Sequence, residues 1–168
     1  MHAGQQNQPA SRWLLRPVQL GDVPALADLY AECARVLGPA VYSAPQVAAW
    51  ESFGRDTAEF RSYVMDADSW VALDADEGGA PPAGFCGAGH GGEVHSLYVR
   101  PHLTRLGLGQ LLLQHVLAQA TARGETQFSA WVTPFSRPVF GRVGFRLAQT
   151  VSAPYQGVVF ERFRVERP

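Results

Sequence analysis

The apolar positions of this chain change their spacing repeatedly between Trp13 and Val165, and each change marks an element. "RWLLRPVQ" (12–19) reads as a first strand. Asp22 then stands in capping position before a helix whose apolar residues, Val23, Leu26, Ala27, Tyr30, Cys33, Ala34 and Leu37, recur at three- and four-residue steps. Ser43 with Gln46 three residues on, and Pro45 in the first turn, form a capping box ahead of Val47, Ala48 and Trp50. Asp56 with Glu59 repeats the arrangement ahead of Phe60, Tyr63 and Val64, so two short helices follow the first.

Three strand-like runs come next, "SWVALD" (69–74), "AGFCGAGH" (83–90) and "EVHSLYV" (93–99). The segments between them, "ADEGGAPP" and a Gly-Gly pair, are short enough for antiparallel hairpins. A helix from about Gly107 to Arg123, closed by Gly124, buries Leu112, Leu113, Val116, Leu117 and Ala120. "QFSAWVT" then reads as a strand, "SRPVFGRV" as a short helix, and "FRLAQTV" and "GVVFERFRV" as two closing strands. This order predicts an α/β (α+β) fold: one central mixed, mostly antiparallel sheet flanked by helices on both faces, with a strand–helix–strand crossover in its second half.

With 168 residues the chain fits one domain, expected over 12–168, behind a polar, flexible tail at 1–11. Apolar residues make up 46% and charged residues 17%, and the net charge of −1 offers no footprint for nucleic acid. No stretch reads as a signal peptide or a membrane span, so a cytoplasmic protein with no membrane partner is expected. All 14 basic residues are arginine, which excludes Schiff-base chemistry and a Walker lysine. Cys33 and Cys86 sit among apolar residues, as buried thiols do, and His90, His102 and His115 lack metal-ligand spacing, so no metal is expected.

Chemistry concentrates at the crossover. The strand ending at Val99 leads through "HLTRLGLGQLLLQHV" (102–116) into a helix, and a helix start aims unpaired backbone N–H groups and a positive dipole end at one point. Gly107 and Gly109 permit close approach to the backbone, and Arg105 adds a permanent charge suited to phosphate. Two small residues packing a helix start would leave the same pair, so the glycines alone do not decide. A P-loop needs a lysine, and a dinucleotide fingerprint needs glycine where Leu112 stands.

"LYVRPHLTRLGLGQLLLQHVLAQATARG" followed by "FSRPVFGRVGF" resembles the GNAT superfamily of acyl-CoA-dependent N-acetyltransferases. Its pattern runs L-Y-V-x-P, then [QR]-x-x-G-x-[GA] opening a helix, then N-x-x-A-x-x-F-Y-x-x-x-G-F. The resemblance implies that acetyl-CoA is the co-substrate and that an amine of a small molecule or peptide is the acceptor. It implies that Leu97, Tyr98 and Val99 run beside the acyl-pantetheine arm, with Phe140 in its wall. The amides of Arg105, Leu106, Gly107, Leu108, Gly109 and Gln110 would hold the pyrophosphate. Thr104 stands where the pattern has Gln or Arg, which moves the charge by one residue.

Acetyl transfer needs a base for the amine, donors for the thioester carbonyl and a proton for the leaving thiolate. Glu93, four residues before Leu97, falls by alternation on one strand face with His95, Leu97 and Val99. Its spacing resembles that of the general base in the histone-acetylating branch, and His95 is the alternative base. Where the pattern has F-Y the chain has Val139 and Phe140, so Ser136, Tyr98, Tyr155 or water is left to protonate the thiolate. Tyr42, Trp50, Phe53 and Tyr155 are the expected acceptor wall. The contrasting reading, motivated by the missing tyrosine, is a non-catalytic acyl-CoA-binding module. Homodimers are common in families resembling this one, and no apolar stripe in the sequence marks such an interface.

Overall fold

The computed structural model describes residues 11–168, so the expected tail lies, apart from Ser11, outside the described residues. The first half comprises β1 (Trp13–Pro17), α1 (Val23–Leu37), α2 (Ala44–Ser52), α3 (Ala58–Met65), β2 (Asp68–Asp74) and β3 (Gly84–Ala88). The second comprises β4 (Glu93–Val99), α4 (Leu108–Ala122), β5 (Phe128–Val132), α5 (Arg137–Arg142), β6 (Arg146–Tyr155) and β7 (Val158–Arg167). Every strand and helix anticipated from the apolar spacing is present.

The strands form one seven-stranded sheet in the order β1-β2-β3-β4-β5-β7-β6. All neighbours are antiparallel except β4 and β5, which α4 joins as a crossover. Leu112, Leu113, Val116 and Leu117 of α4 pack one face with Cys86, Val94 and Phe140. Leu26, Leu29 and Tyr30 of α1, with Trp50 and Phe60 from α2 and α3, pack the other against Val71 and Phe85. Helices thus cover both faces, as a sheet buried on two sides requires.

Two irregularities in β4 govern the site. Opposite β3, Cys86 pairs with Leu97 and Gly87 with Ser96, but Ala88 pairs with Val94, so His95 opposes no residue and forms a β-bulge. Alternation slips by one there. Val94, Leu97 and Val99 all pack toward α4, while Tyr98 packs toward α1. Glu93 therefore shares the face of Ser96 and Tyr98, not that of Leu97 and Val99 as simple alternation predicts. Opposite β5 only Glu93↔Ser129 and Val94↔Ala130 pair, although both strands continue, so they diverge beyond Val94.

Local chemistry sets the helix starts. Ser43 Oγ accepts from Gln46 N–H at 3.3 Å and Gln46 Oε1 from Ser43 N–H at 2.8 Å, the expected capping box. The cap of α3 is Thr57, whose Oγ1 accepts from Phe60 N–H at 3.2 Å; Asp56 instead binds Arg61 at 2.7 Å. Asp22 sits at the N-cap of α1, but its carboxylate turns back to accept from Gln19 N–H at 2.7 Å and from Arg16 at 2.7 and 2.9 Å. A 3₁₀ turn, Leu20–Asp22, makes that reversal possible.

The Arg16 hydrogen bond, helped by Gln19, holds the Asp22 carboxyl below its ordinary value against a partial desolvation cost. A depressed folded-state value stabilises the protein above the unfolded carboxyl pKa and is lost as pH falls through the folded one. Asp22→Asn is expected to lower unfolding free energy by about 1–2 kcal/mol at neutral pH. The gap from wild type should close below about pH 4 in denaturant titrations.

Candidate active site

Three adjoining features make up the site. The first is a cradle. After a 3₁₀ turn at Pro101–Leu103 the loop into α4 holds Arg105 at φ 66° and Gly107 at φ 79°, both left-handed. The first helical bond runs from Leu111 N–H to the Gly107 carbonyl at 3.1 Å, which leaves the amides of Leu108, Gly109 and Gln110 without a helical acceptor. A Cβ at Gly107 would meet nothing within 4 Å, so this glycine fronts open space. At Gly109 it would lie 3.7 Å from Val99 and 3.8 Å from Val139, and that glycine seats the first turn of α4 on its neighbours. The two glycines thus divide the two roles that sequence alone left open.

The Thr104 hydroxyl donates to the Pro101 carbonyl at 2.9 Å and is occupied within the turn. Cationic character at the cradle comes from exposed Arg105 and from Arg142 at the end of α5, whose Nε donates to Gln110 Oε1 at 3.4 Å. Leu106, beside them, is 52% exposed and shares no core.

The second feature is a slot where β4 and β5 part. Ser96, Leu97, Tyr98, Trp131, Thr133, Ser136 and Phe140 are among its lining residues. Beyond Val94 the β4 edge facing β5 has no ladder partner, so its amides and carbonyls are open to an extended ligand. Phe140 is buried edge-on against Phe145 at 5.0 Å between centroids and brings no hydroxyl to the slot. Ser136 is tied to Thr133: Thr133 N–H donates to Ser136 Oγ at 3.1 Å and Ser136 N–H to Thr133 Oγ1 at 3.2 Å.

The third feature is a cavity of about 530 Å³ on the opposite side of the slot from the cradle's helix, between α1–α3 and the β6–β7 hairpin. The expected acceptor residues Tyr42, Trp50, Phe53 and Tyr155 all line it, as do Glu93 and His95. Val94, His95, Tyr98, Trp131 and Thr133 line both cavity and slot, so the two meet at the bulge. Glu93 Oε2 lies 3.8 Å from His95 Nε2, and the His95 imidazole fits because Gly89 carries no Cβ, which would approach it to 2.7 Å. Tyr63 donates to the His95 carbonyl at 2.9 Å, fastening the bulge to α3. Burial pushes the Tyr30, Tyr63 and Tyr98 phenols well above their ordinary value, so all three are protonated at neutral pH.

A family model described as acetyltransferase (GNAT) domain matches residues 40–166. The chain belongs to the GNAT acetyltransferase family. Among solved structures, this GNAT domain is similar to a GCN5-related N-acetyltransferase from Rhodopseudomonas palustris, with TM-score 0.85 and 22% identity over 94% of this chain and 96% of that one. It is similar to the PaiA N-acetyltransferase from Thermoplasma acidophilum in complex with coenzyme A, with TM-score 0.74 and 17% identity over 92% and 98%. It is also similar to a phosphinothricin acetyltransferase from Sinorhizobium meliloti in complex with AcCoA, with TM-score 0.67 and 21% identity over 94% and 89%. Comparison with curated protein sequences finds no match. At these identities the structures establish the shared fold, and the family establishes an acyltransferase.

Several lining residues of this GNAT domain had no mark in the sequence reading. Trp131 and Thr133 stand at the carboxyl end of β5, and the rule that ligands gather where parallel strands end beside a crossover would have found them. Tyr30 and Tyr63 read as core positions on helix faces and prove to be both core and cavity wall. The two cysteines do not take part. The Cys33 thiol donates to the Val99 carbonyl at 3.2 Å and burial pushes it up to about 12; burial raises Cys86 as well. Both thiols are therefore expected to react slowly with an aromatic disulfide reagent at pH 8 in the native protein and fully after unfolding. Rapid native labelling would contradict their burial.

Proposed function

We propose that this acyltransferase moves the acetyl group of acetyl-CoA to a primary amine by direct attack in a ternary complex. The observation that carries this reading is the junction at the bulge. A slot edged by unpaired strand opens into a cavity bearing a carboxylate, and β4, the strand that edges it, leads on through Val99 to the helix-start cradle. The cradle amides and Arg105 suit the pyrophosphate of CoA. The free β4 edge suits the amide-bearing pantetheine arm, which it would bind much as a strand binds a neighbour. The coenzyme A and AcCoA complexes of the structural relatives support the same choice of donor.

In this reading Glu93 takes a proton from the acceptor ammonium, directly or through one water, with His95 beside it as a second base. The neutral nitrogen attacks the thioester carbonyl carbon, the C–N bond forms, the C–S bond breaks, and the thiolate takes up a proton. Tyr98 and Ser136 are among the hydroxyls lining the slot, and Tyr98 retains its proton at neutral pH. The loss of the family's tyrosine at Phe140 is tolerable because a thiol, with an ordinary pKa near ~8.5, is a good leaving group without strong acid catalysis.

Steady-state assays of CoA thiol release test these assignments. Glu93→Gln is expected to lower kcat about a hundredfold with little change in the KM for acetyl-CoA. An unaltered kcat would remove Glu93 as base. Gly107→Asp, which sets a negative charge at the cradle, should raise the acetyl-CoA KM about tenfold or more, with a loss of stability on the order of 1 kcal/mol from the left-handed backbone it must adopt. Tight acetyl-CoA binding with no thiol release for any amine would instead establish a binding module.

A further inference from the structure

We infer that the acceptor is a primary amine carried on a flat aromatic body, an arylalkylamine, and not a polyamine or a peptide; this rests on the acetyl-transfer reading above. The cavity has the volume of a small-molecule site, and aromatic rings dominate its wall. Tyr42 meets Trp50 edge-on at 5.7 Å and Phe160 at 5.4 Å, and Tyr155 meets Phe160 at 6.4 Å. Nearer the bulge, Tyr98 and Tyr30 lie 4.6 Å apart. Such walls favour a planar apolar ligand by area burial and by ring–ring contact.

Charge distribution gives that ligand a direction. His95 stands where the cavity meets the slot, and Glu93 lines the cavity 3.8 Å from it, so a single ammonium at that end would face a carboxylate and aromatic faces together. Glu161 and Arg162 of β7 also line the cavity, and the Arg162 guanidinium lies 4.8 Å over the Trp131 ring, so one wall of the cavity carries a fixed cation. A polyamine would bring further cations toward that arginine, with one carboxylate near them.

An extended peptide entering this cavity would have to pass between α2 and the β6–β7 hairpin, which line its two sides. Here that gap is bridged. Gln46 Nε2 donates to the Val159 carbonyl at 2.8 Å, joining the start of α2 to β7, and Tyr42 packs Phe160 beneath the bridge. Trp50 stacks on Phe135 at 6.1 Å, extending the closure to the segment after β5.

The test is thiol release by the full chain with acetyl-CoA and phenylethylamine, tryptamine, n-butylamine, spermidine or a short lysine peptide. Calorimetric titration of phenylethylamine is run alongside. The arylalkylamines should exceed n-butylamine roughly ten- to hundredfold in kcat/KM, mostly through KM. Tyr42→Ala should reduce kcat/KM for tryptamine about tenfold and for n-butylamine by a much smaller factor. Equal or better turnover of n-butylamine, spermidine or the peptide would overturn the inference and leave acetyl transfer standing. Phenylethylamine binding without thiol release from any amine would overturn the transfer reading and support the pocket's selectivity. Absence of both binding and release would overturn both.

Discussion

Pairing between β4 and β5 stops after two residues, and the slot, the cavity and both cores are arranged around that stop. A parted pair of strands inside a sheet leaves amides and carbonyls that cost about 1–3 kcal/mol each when buried without partners. Keeping the gap open to a ligand or solvent relieves that cost. β7 holds the far edge of β5 over five residue pairs, from Phe128↔Arg167 to Val132↔Phe163, so the sheet does not fray where it parts. The α4 crossover leaves through the cradle at the same end of β4, which is why cradle and open edge are contiguous.

The bulge at His95 complements the parting. By slipping alternation it gives one strand two duties: Leu97 and Val99 seal the α4 core, while Glu93 and Tyr98 turn to the cavity. Had alternation run unbroken through His95, Glu93 would lie on the α4 side with Leu97 and Val99 instead of at the cavity. Tyr63 and Gly89 hold the bulge from two sides, one by a hydrogen bond and one by making room.

These features separate what residues announce from what only folding creates. The Ser43–Gln46 cap, the buried face of α4 and the order of the strands were legible because each follows from spacing within a few residues. The cap of α3 was misread by one residue because Asp56 and Thr57 are both good caps and only the backbone turn chooses. The slip at His95 has no local signature: alternation is read on the assumption of a constant period, and the extra residue is detected only opposite β3. The cradle was legible as a helix start with glycines. The split of roles between Gly107 and Gly109 depended on Val99 and Val139, distant in sequence. The absence of lysine reads differently beside the proposed chemistry, since no side chain of this protein offers a primary amine to its own active site.

Arg105 is a non-glycine residue with a left-handed backbone, a conformation that costs on the order of 1 kcal/mol. It is held there, with Gly107 two residues on, by a loop whose ends are fixed in the Pro101–Leu103 turn and in α4. The cradle is thus preorganised: its ordering cost comes out of the folding free energy, and an arriving anion meets amides already aligned. On the proposed reading, affinity for the donor is in that sense stored in the fold as a small instability of the loop.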